Sequence, residues 1–243
     1  MGSTVCDAIG AADGLELVAL VDSSLASSMS ESNEVLMGSD LRVLAEAGCD
    51  VAVDFTVAEA SRAALPFLAV HGIHAVVGTT GFDDADMTLF RSSFESSTAN
   101  CIIAANFAIS AVLMMRFASL AAEHFDTAEI IELHHDAKVD APSGTAIETA
   151  RRMTPRSNGW APDPTKTGLE GARGATGPNS VPIHSVRMRG MTAHQEVILG
   201  AAGQTLTIRQ DSYDRTSFMP GVVLACRRVA DLPGLTIGLD DLL

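Results

Sequence analysis

Cysteine, basic residues and long apolar runs are scarce in this sequence of 243 residues, and each scarcity excludes a class of protein. The cysteines are scattered without a C-x-x-C spacing, at Cys6, Cys49, Cys101 and Cys226. Such isolated cysteines predict neither a metal site nor a redox pair, and we interpret them as reduced core thiols. No run reaches the roughly 18 apolar residues of a membrane-spanning helix, and the start lacks the pattern of a signal peptide. The sequence therefore predicts a cytoplasmic protein.

The shortage of basic residues excludes other partners. Sixteen Lys and Arg stand against thirty Asp and Glu, which gives a formal net charge of −14. An acidic surface of this kind repels phosphate backbones and anionic membranes, so we expect neither nucleic acid nor membrane as a partner. What the chain does contain is 47% hydrophobic residues, only 5% of the chain being aromatic. That composition is typical of a packed α/β or α+β protein.

Short apolar runs alternate with amphipathic segments in the first half, which is typical of βαβ units around a parallel sheet. The pattern predicts strands at Leu15–Asp22, Val51–Thr56, His74–Gly78, Cys101–Ala104 and Glu129–His135. It predicts helices at Ala58–His71, Asp83–Phe94 and Ser110–Phe125. Because the strands are continuously apolar, we expect helices on both faces of their sheet.

The residue composition changes at Met153. From there to Pro182 the chain is rich in Pro, Gly, Asn, Thr and Arg and contains the single tryptophan, Trp160, which predicts a long polar loop or lid. Beyond this loop the pattern predicts strands at His184–Met188, Ala193–Leu199, Gln204–Gln210 and Leu235–Gly238, with a helix at Phe218–Val229.

The first residues do not follow the usual order of a dinucleotide-binding sheet, which is a strand, a glycine-rich turn and a helix. The chain instead enters a helical pattern at once, with Val5 and Ile9 one turn apart. Asp22 ends the next predicted strand twenty positions after Gly2, close to the spacing between the glycine turn and the ribose-binding carboxylate. The start therefore resembles a Rossmann unit entered at its third glycine, although an Asp that ends a strand is also a common turn former.

The largest concentration of potentially catalytic residues lies at the end of the strand predicted at Glu129–His135 and directly after it. His134, His135 and Lys138 stand at its carboxyl end, where ligand sites of α/β sheets lie. Pro142-Ser143 is a good helix start, and the unpaired backbone N–H groups of a helix start can bind an anion. A substrate that carries a carboxylate fits this arrangement, whereas a His-His pair alone equally suits a metal site or a surface loop.

These residues closely resemble the signature of the dihydrodipicolinate reductases, since the chain reads H-H-x-x-K-x-D-A-P-S-G-T-A from His134 to Ala146. Further matching segments are Val53–Thr56, Gly78–Gly81, Ala105–Phe107, Ile183–Arg187, Ala193–Val197 and Asp211–Phe218. The resemblance implies an oxidoreductase that uses NADH or NADPH to reduce 4-hydroxy-tetrahydrodipicolinate, a small dicarboxylate, in the diaminopimelate route to lysine. It also implies a homotetramer.

The resemblance further implies roles for individual residues. His134 is similar to the family's proton donor and acceptor, and Lys138 to its partner proton donor. Residues similar to those that bind the substrate are His135, Ser143, Gly144 and Thr145. Residues similar to those that bind the cofactor are Met1, Gly2, Asp22, Gly78, Thr79, Thr80, Ala104, Ala105, Asn106 and Phe107.

Several supporting residues admit two interpretations. We expect His184 and His194 to be structural or to line the cleft, and Phe55 and Phe107 to be core residues as an alternative to cofactor contacts. Arg187 is either a surface charge or an anchor for the dicarboxylate. Since Asp22 is followed by two serines and no arginine, NADH should be accommodated, while basic residues elsewhere leave NADPH open.

The predicted fold is α/β, with a Rossmann-like doubly wound parallel sheet, its first strand missing, and a second α+β domain. The first domain takes residues 1–108 and 216–243, and residues 109–215 form the substrate and oligomerisation domain. Family members carry an upstream strand and a G-x-x-G-x-M-G turn, and this chain begins at the Met-Gly of that motif. We hypothesise that the true start lies upstream. The alternative function is a non-catalytic paralogue or subunit that keeps the substrate cleft without binding cofactor.

Overall fold

The computed structural model describes residues 1–25, 35–156 and 158–243. The chain divides into two compact units: unit 1 comprises Met1–Phe107 with Phe218–Leu243, and unit 2 comprises Ala108–Ser217. Across the described part of the chain, every helix is too short or too polar to cross a bilayer.

Unit 1 is built from parallel strands and the helices between them. Its strands are β1 (Ala19–Val21), β2 (Leu36–Gly38), β3 (Val51–Asp54), β4 (His74–Val77), β5 (Cys101–Ile103) and β11 (Leu235–Ile237). Strands β1 and β2 pair with each other, and the other four form a parallel sheet in the order β11-β5-β4-β3. Its helices are α1 (Gly2–Gly10), α2 (Arg42–Glu46), α3 (Ala58–Val70), α4 (Asp84–Glu95) and α7 (Met219–Arg228).

The sheet of unit 1 is covered on both faces, as its apolar strands predicted. One core joins Ala75 and Val77 of β4 to Leu65 of α3 and Phe90 of α4. Val76, which alternates with them along the strand, is also fully buried, and α7 packs against β3 and β4. The prediction of an α/β layer with helices on both faces is confirmed.

Unit 2 is an α+β layer around a mixed sheet. Its strands are β6 (Thr127–His134), β7 (Ala175–Thr176), β8 (Pro182–Arg187), β9 (Ala193–Ala201) and β10 (Gln204–Ser212), in the order β10-β9-β6-β8-β7. Central strand β6 runs antiparallel to β9 and parallel to β8. The helices are α5 (Ile109–Ala122) and α6 (Gly144–Arg152), which pack against each other. Helix α5 also packs against β9 and β10, and helix α6 packs against β6.

The predicted and observed elements differ at several places. The strand expected at Leu15–Asp22 is limited to the three residues of β1, because its ladder with β2 is only three residues long. Strand β2 and helix α2 were not predicted at all. The segment 153–182 contains β7 and a 3₁₀ turn at Pro178–Ser180, and it is held to unit 2 by bonds such as Ala161 N to Asp126 O at 2.7 Å. The predicted long polar loop is confirmed, since most described residues of this segment form neither helix nor strand, while its suggested role as a lid stays a prediction.

Candidate active site

Strand β6 carries the centre of the site at its carboxyl end. Ile130, Glu132 and His134 share one face of the strand because side chains alternate with a period of two. The side chain of Glu132 is fully buried, and that of His134 is 15% exposed. Nδ1 of His134 lies 2.5 Å from Oε2 of Glu132. A buried carboxylate therefore orients the histidine for which the sequence predicted an acid–base role.

Arg187 provides the counter-charge of this carboxylate. It lies directly opposite His134 in the register of β8 with β6, and its two terminal nitrogens donate to Glu132 Oε2 at 2.8 Å and Oε1 at 2.9 Å. Burial by itself raises the pKa of Glu132, but the hydrogen bonds from His134 and Arg187 outweigh it and lower that pKa to about 2. Glu132 is thus ionised at neutral pH. The interpretation of Arg187 as a surface charge is wrong, because its side chain is only 18% exposed and pairs with the buried Glu132, whereas its role as an anchor for the dicarboxylate stays a prediction.

The turn before α6 meets the same carboxylate. Backbone N–H of Ser143 donates to Glu132 Oε1 at 3.1 Å, and Ser143 Oγ accepts from Ala146 N at 3.2 Å as the helix N-cap. The predicted helix start is confirmed, since α6 begins at Gly144, directly after Ser143. Gly144 is exposed and has open space where a Cβ would lie, while Thr145 is half-buried. A first turn of this kind presents backbone N–H groups to an anion.

Lys138 and His135 lie in the connection between β6 and α6. Lys138 Nζ donates to Asp140 Oδ1 at 2.7 Å, and this bond lowers the pKa of Asp140. The backbone oxygen of Asp140 in turn accepts from Arg187 at 2.5 Å. His135 is exposed and follows the last residue of β6. A continuous set of hydrogen bonds therefore links the predicted His134, Lys138 and Ser143.

Sequence reasoning missed Glu132 and Asp140 as parts of this set. The signal for Glu132 is local, since an acid two residues before His134 on a strand must share its face. Asp140 has the same signal relative to Lys138. The contact to Arg187 joins residues 55 positions apart, and only the strand pairing reveals it.

The residues predicted to bind a cofactor lie in unit 1, mostly at one sheet edge. Strands β3, β4 and β5 are parallel and in register, so Phe55, Gly78 and Ala104 follow them at the same edge. A Cβ at Gly78 would lie 2.1 Å from the Phe55 ring, so this position requires glycine.

Asp54 holds this loop. Its buried carboxylate accepts from Thr56 Oγ1 at 2.6 Å, Ser61 Oγ at 2.7 Å and Thr79 Oγ1 at 3.1 Å. Thr79 is itself buried, whereas Thr80 is exposed. The side chain of Thr79 therefore supports the loop from within.

The residues Ala104–Phe107, which were also predicted to bind the cofactor, likewise include both buried and exposed members. Ala104 and Phe107 are buried, and the Phe107 ring lies 5.3 Å from the ring of Phe55. The expectation that Phe107 is a core residue is confirmed. Ala105 is exposed and Asn106 is half-buried.

The other residues predicted to bind the cofactor lie at the end of β1, which Asp22 follows, and at the start of α1, where Met1 and Gly2 stand. Asp22 follows β1, is exposed, and accepts from the N–H and Oγ of Ser24, which lower its pKa. Met1 is the N-cap of α1 and Gly2 its exposed first residue, and Val5 is buried on the helix face, as predicted. An ionised carboxylate at a strand end, an open helix start and a glycine edge fit a dinucleotide.

The remaining histidine pairs of unit 2 lie away from this site, on the opposite face of the sheet. His184 Nε2 lies 2.6 Å from Glu129 Oε2, and His194 Nδ1 lies 2.6 Å from Asp211 Oδ1. Each histidine is thus paired with a carboxylate. Within residues 1–25, 35–156 and 158–243, no group of three or more His, Cys, Asp or Glu is arranged to hold a metal ion.

Comparison with known proteins adds sequence relatives and a solved structure. Family models described as dihydrodipicolinate reductase, N-terminus and C-terminus, match residues 1–107 and 110–243. The 4-hydroxy-tetrahydrodipicolinate reductase of Nocardia farcinica is 50% identical over 248 residues, covering 100% of this chain and 94% of that protein. The reductase of the same name from Mycolicibacterium gilvum is 52% identical over 209 residues, 85% of each chain. The dipicolinate-bound dihydrodipicolinate reductase from Paenisporosarcina sp. TG-14 is similar in structure, with TM-score 0.88 and 38% identity, covering 100% of this chain and 95% of that one.

Proposed function

Since the chain belongs to the dihydrodipicolinate reductase family, we propose that it reduces 4-hydroxy-tetrahydrodipicolinate to tetrahydrodipicolinate in the diaminopimelate route to lysine. The chain is an oxidoreductase that uses a pyridine nucleotide. The observation that carries the proposed reaction is the end of β6, where one buried carboxylate contacts both an acid–base histidine and the open start of a helix.

The start of α6 binds a carboxylate of the substrate. Its N–H groups at Gly144 and Thr145 lie beyond the Ser143 cap, and the helix carries no acidic side chain in its first turn. The helix dipole places partial positive charge there. His135, exposed beside this turn, supplies a further polar contact to the substrate. On a chain of net charge −14, such local sites for an anion are what draws a dicarboxylate to this place.

His134 and Lys138 act as the proton donors of the reaction. When bound, the reduced nicotinamide supplies a hydride. Adding a hydride to an electron-poor conjugated imine leaves a carbanion-like centre on the substrate, which must take up a proton. His134 delivers this proton, and Lys138, held by Asp140, is the second proton donor and a positive charge beside the dianionic substrate.

Unit 1 holds the cofactor with residues that the fold brings to the ends of its elements. The loop Gly78–Thr80, the exposed Ala105 and the half-buried Asn106 line the sheet edge, and the start of α1 at Gly2 would receive a phosphate group. Asp22 would accept a hydrogen bond from a ribose hydroxyl of the nucleotide. Because a carboxylate repels a 2′-phosphate, this chain accepts NADH, and NADPH depends on basic residues elsewhere.

The sheet face of unit 2 opposite α5 and α6 joins copies of the chain into a homotetramer. Half-buried apolar side chains alternate with the ion pairs of Glu129 and Asp211 on this face, namely Ile131, Leu133, Val186 and Ile198. Burying such side chains against another copy removes them from water. Light scattering on the purified protein tests this through a mass four times that of the 25.3 kDa chain.

The proposed reaction is tested by following the oxidation of NADH and NADPH in the presence of the purified chain and freshly generated 4-hydroxy-tetrahydrodipicolinate. We expect oxidation only when the substrate is present, and competitive inhibition by dipicolinate. Absence of oxidation with either nucleotide, together with retained dipicolinate binding, contradicts the enzyme and favours a non-catalytic paralogue that keeps the cleft.

A further inference from the structure

We propose that Glu132 is a positioning residue, which holds the imidazole of His134 with its proton on Nδ1 and leaves Nε2 as the nitrogen that exchanges protons. This inference rests on the proposed function only in the role it gives to His134. The tautomer itself follows from the geometry of the end of β6.

The first step is that Glu132 cannot turn away from His134. Its side chain is fully buried, and each carboxylate oxygen has fixed partners. Oε1 accepts from Ser143 N at 3.1 Å and from Arg187 at 2.9 Å, while Oε2 accepts from Arg187 at 2.8 Å and faces Nδ1 of His134 at 2.5 Å. Rotation of the carboxylate would break at least three hydrogen bonds in a buried place, where unpaired polar groups are costly.

The second step concerns the direction of the bond between Glu132 and His134. An ionised carboxylate has only acceptor atoms, and the bidentate Arg187 keeps Glu132 ionised. A contact of 2.5 Å between Nδ1 and Oε2 therefore requires that Nδ1 donates. In neutral imidazole the proton is then absent from Nε2, so Nε2 must first take up a proton, which forms the imidazolium, before it delivers that proton to the substrate.

The third step links orientation to the anion site. Because Glu132 Oε1 also holds Ser143 N, one carboxylate aligns both the acid–base imidazole and the first turn of α6. A carboxylate that orients a histidine in this way is worth several orders of magnitude in hydrolases with a Ser-His-Asp triad, where amide replacement yields the wrong tautomer. The same physical requirement applies to any histidine that must present a defined nitrogen.

The chain offers a matched control on the same strand. Glu129 lies on the opposite face of β6 and also contacts one histidine and one arginine, at 2.6 Å to His184 Nε2 and 2.5 Å to Arg173. Glu129→Gln and Glu132→Gln therefore remove the same charge from one strand, at a side chain that is 32% exposed in the first case and fully buried in the second. Only Glu132 contacts His134.

The experiment combines kinetics with ¹⁵N NMR of histidine-labelled protein, in which a His134→Gln variant assigns the resonances. In the unaltered chain we expect His134 to carry its proton on Nδ1. In Glu132→Gln we expect a mixture of both tautomers and a fall in kcat of about 10²- to 10³-fold, with the substrate KM changed less than about threefold. Glu129→Gln should keep both the His134 signal and kcat.

The outcomes separate this inference from the proposed function. If the unaltered chain does not reduce the substrate, the proposed function fails, while the His134 tautomer still decides the role of Glu132. An Nε2-protonated His134 in the unaltered chain overturns the inference, and this measurement stands even where Glu132→Gln does not fold. A Glu132→Gln variant that loses kcat with its His134 tautomer unchanged also overturns it, because Glu132 would then act only on structure.

Discussion

Lys138 is proposed both to bind the substrate and to donate a proton. Its ammonium group donates a hydrogen bond to Asp140, in the connection that leads to α6. We expect Lys138→Ala to lower kcat by about 10²- to 10⁴-fold, because a positioned proton donor contributes on that order. The dissociation constant for NADH should change less than about twofold, as measured by nucleotide fluorescence. The exposed Lys166, replaced by alanine in the same way, is the control. An equal loss of turnover and NADH affinity would refute the assignment of Lys138 as a proton donor.

We propose that the carboxylate of Asp22 sets the nucleotide preference. Its exposed side chain is ionised at neutral pH, because the hydrogen bonds from Ser24 lower its pKa. Asp22→Ala should raise the dissociation constant for NADH by about tenfold, the loss of one to two hydrogen bonds to a charged group. NADPH should be affected less, since the variant no longer repels a 2′-phosphate. Calorimetric titration of both nucleotides checks this, with the exposed Asp13→Ala as control; an unchanged ratio of the two constants would remove Asp22 from the site.

Gly78 shows how one missing Cβ shapes the sheet edge. The added methyl group of Gly78→Ala would overlap the Phe55 ring at 2.1 Å, so the loop or the ring must move. We expect a loss of about 1 to 3 kcal/mol in the free energy of unfolding and weaker NADH binding. Gly10→Ala, at a helix position with open space, should cost little. Partial recovery in Phe55→Leu/Gly78→Ala would identify the ring as the cause, and equal stability of the two alanine variants would contradict it.

Among the elements, α6 is fastened at both ends by residues from outside the helix. Its start is tied to Glu132 through Ser143, and at its end Nδ2 of Asn179 lies at 2.9 Å from the carbonyl of Arg151 and 3.1 Å from that of Met153. Asn179 also adopts the left-handed region, with φ of 53°, which asparagine tolerates better than most residues. The loop that contains Asn179 thus caps the C-terminal end of α6.

We therefore expect Asn179→Ala to lower the free energy of unfolding by about 0.5 to 1.5 kcal/mol, because exposed and partly buried carbonyls at the end of α6 lose their donor. Amide hydrogens in the last turn of α6 should exchange faster than in the unaltered chain. Urea denaturation and hydrogen exchange measure the two effects. The control is Asn158→Ala, at an exposed position of the same segment. Matching stabilities of the two variants would show that the cap is unimportant.

The elements also show what a sequence reveals locally and what it does not. The strand β4 and the start of α6 were predicted within two residues, because a continuous apolar run and a Pro-Ser helix start are local signals. Strand β2 and helix α2 are only three and five residues long, too short to show a period. Glu132 was overlooked although its spacing to His134 is local. Its partner Arg187 could not be inferred without the pairing of β6 with β8, and the same holds for Asn179 and α6.

At the scale of the whole molecule, a net charge of −14 opposes the compact state at neutral pH. Many of the acids responsible are nevertheless paired. Hydrogen bonds to neighbouring side chains lower the pKa values of Asp40 and Asp163 to about 2, and that of Glu132 to the same value against the effect of its burial. These groups favour the folded state only while they are ionised. The exposed pairs contribute little to the stability of the folded state, so among these three acids the buried Glu132 contributes most.

The sign of the resulting pH dependence follows from linkage. A carboxyl whose folded pKa is lowered stabilises the fold fully above its unfolded value, 4.5 for Glu132, and this stability is lost as the pH falls towards about 2. The shift corresponds to about 3 kcal/mol. We therefore expect the free energy of unfolding, measured in urea, to be level between pH 7 and 5 and to fall steeply below. In Glu132→Gln the fall should be shallower by about one proton per molecule, whereas the exposed Glu59→Gln should reproduce the unaltered slope. Parallel slopes in all three proteins would mean that Glu132 does not bear the charge on which its roles in the fold and in orienting His134 depend.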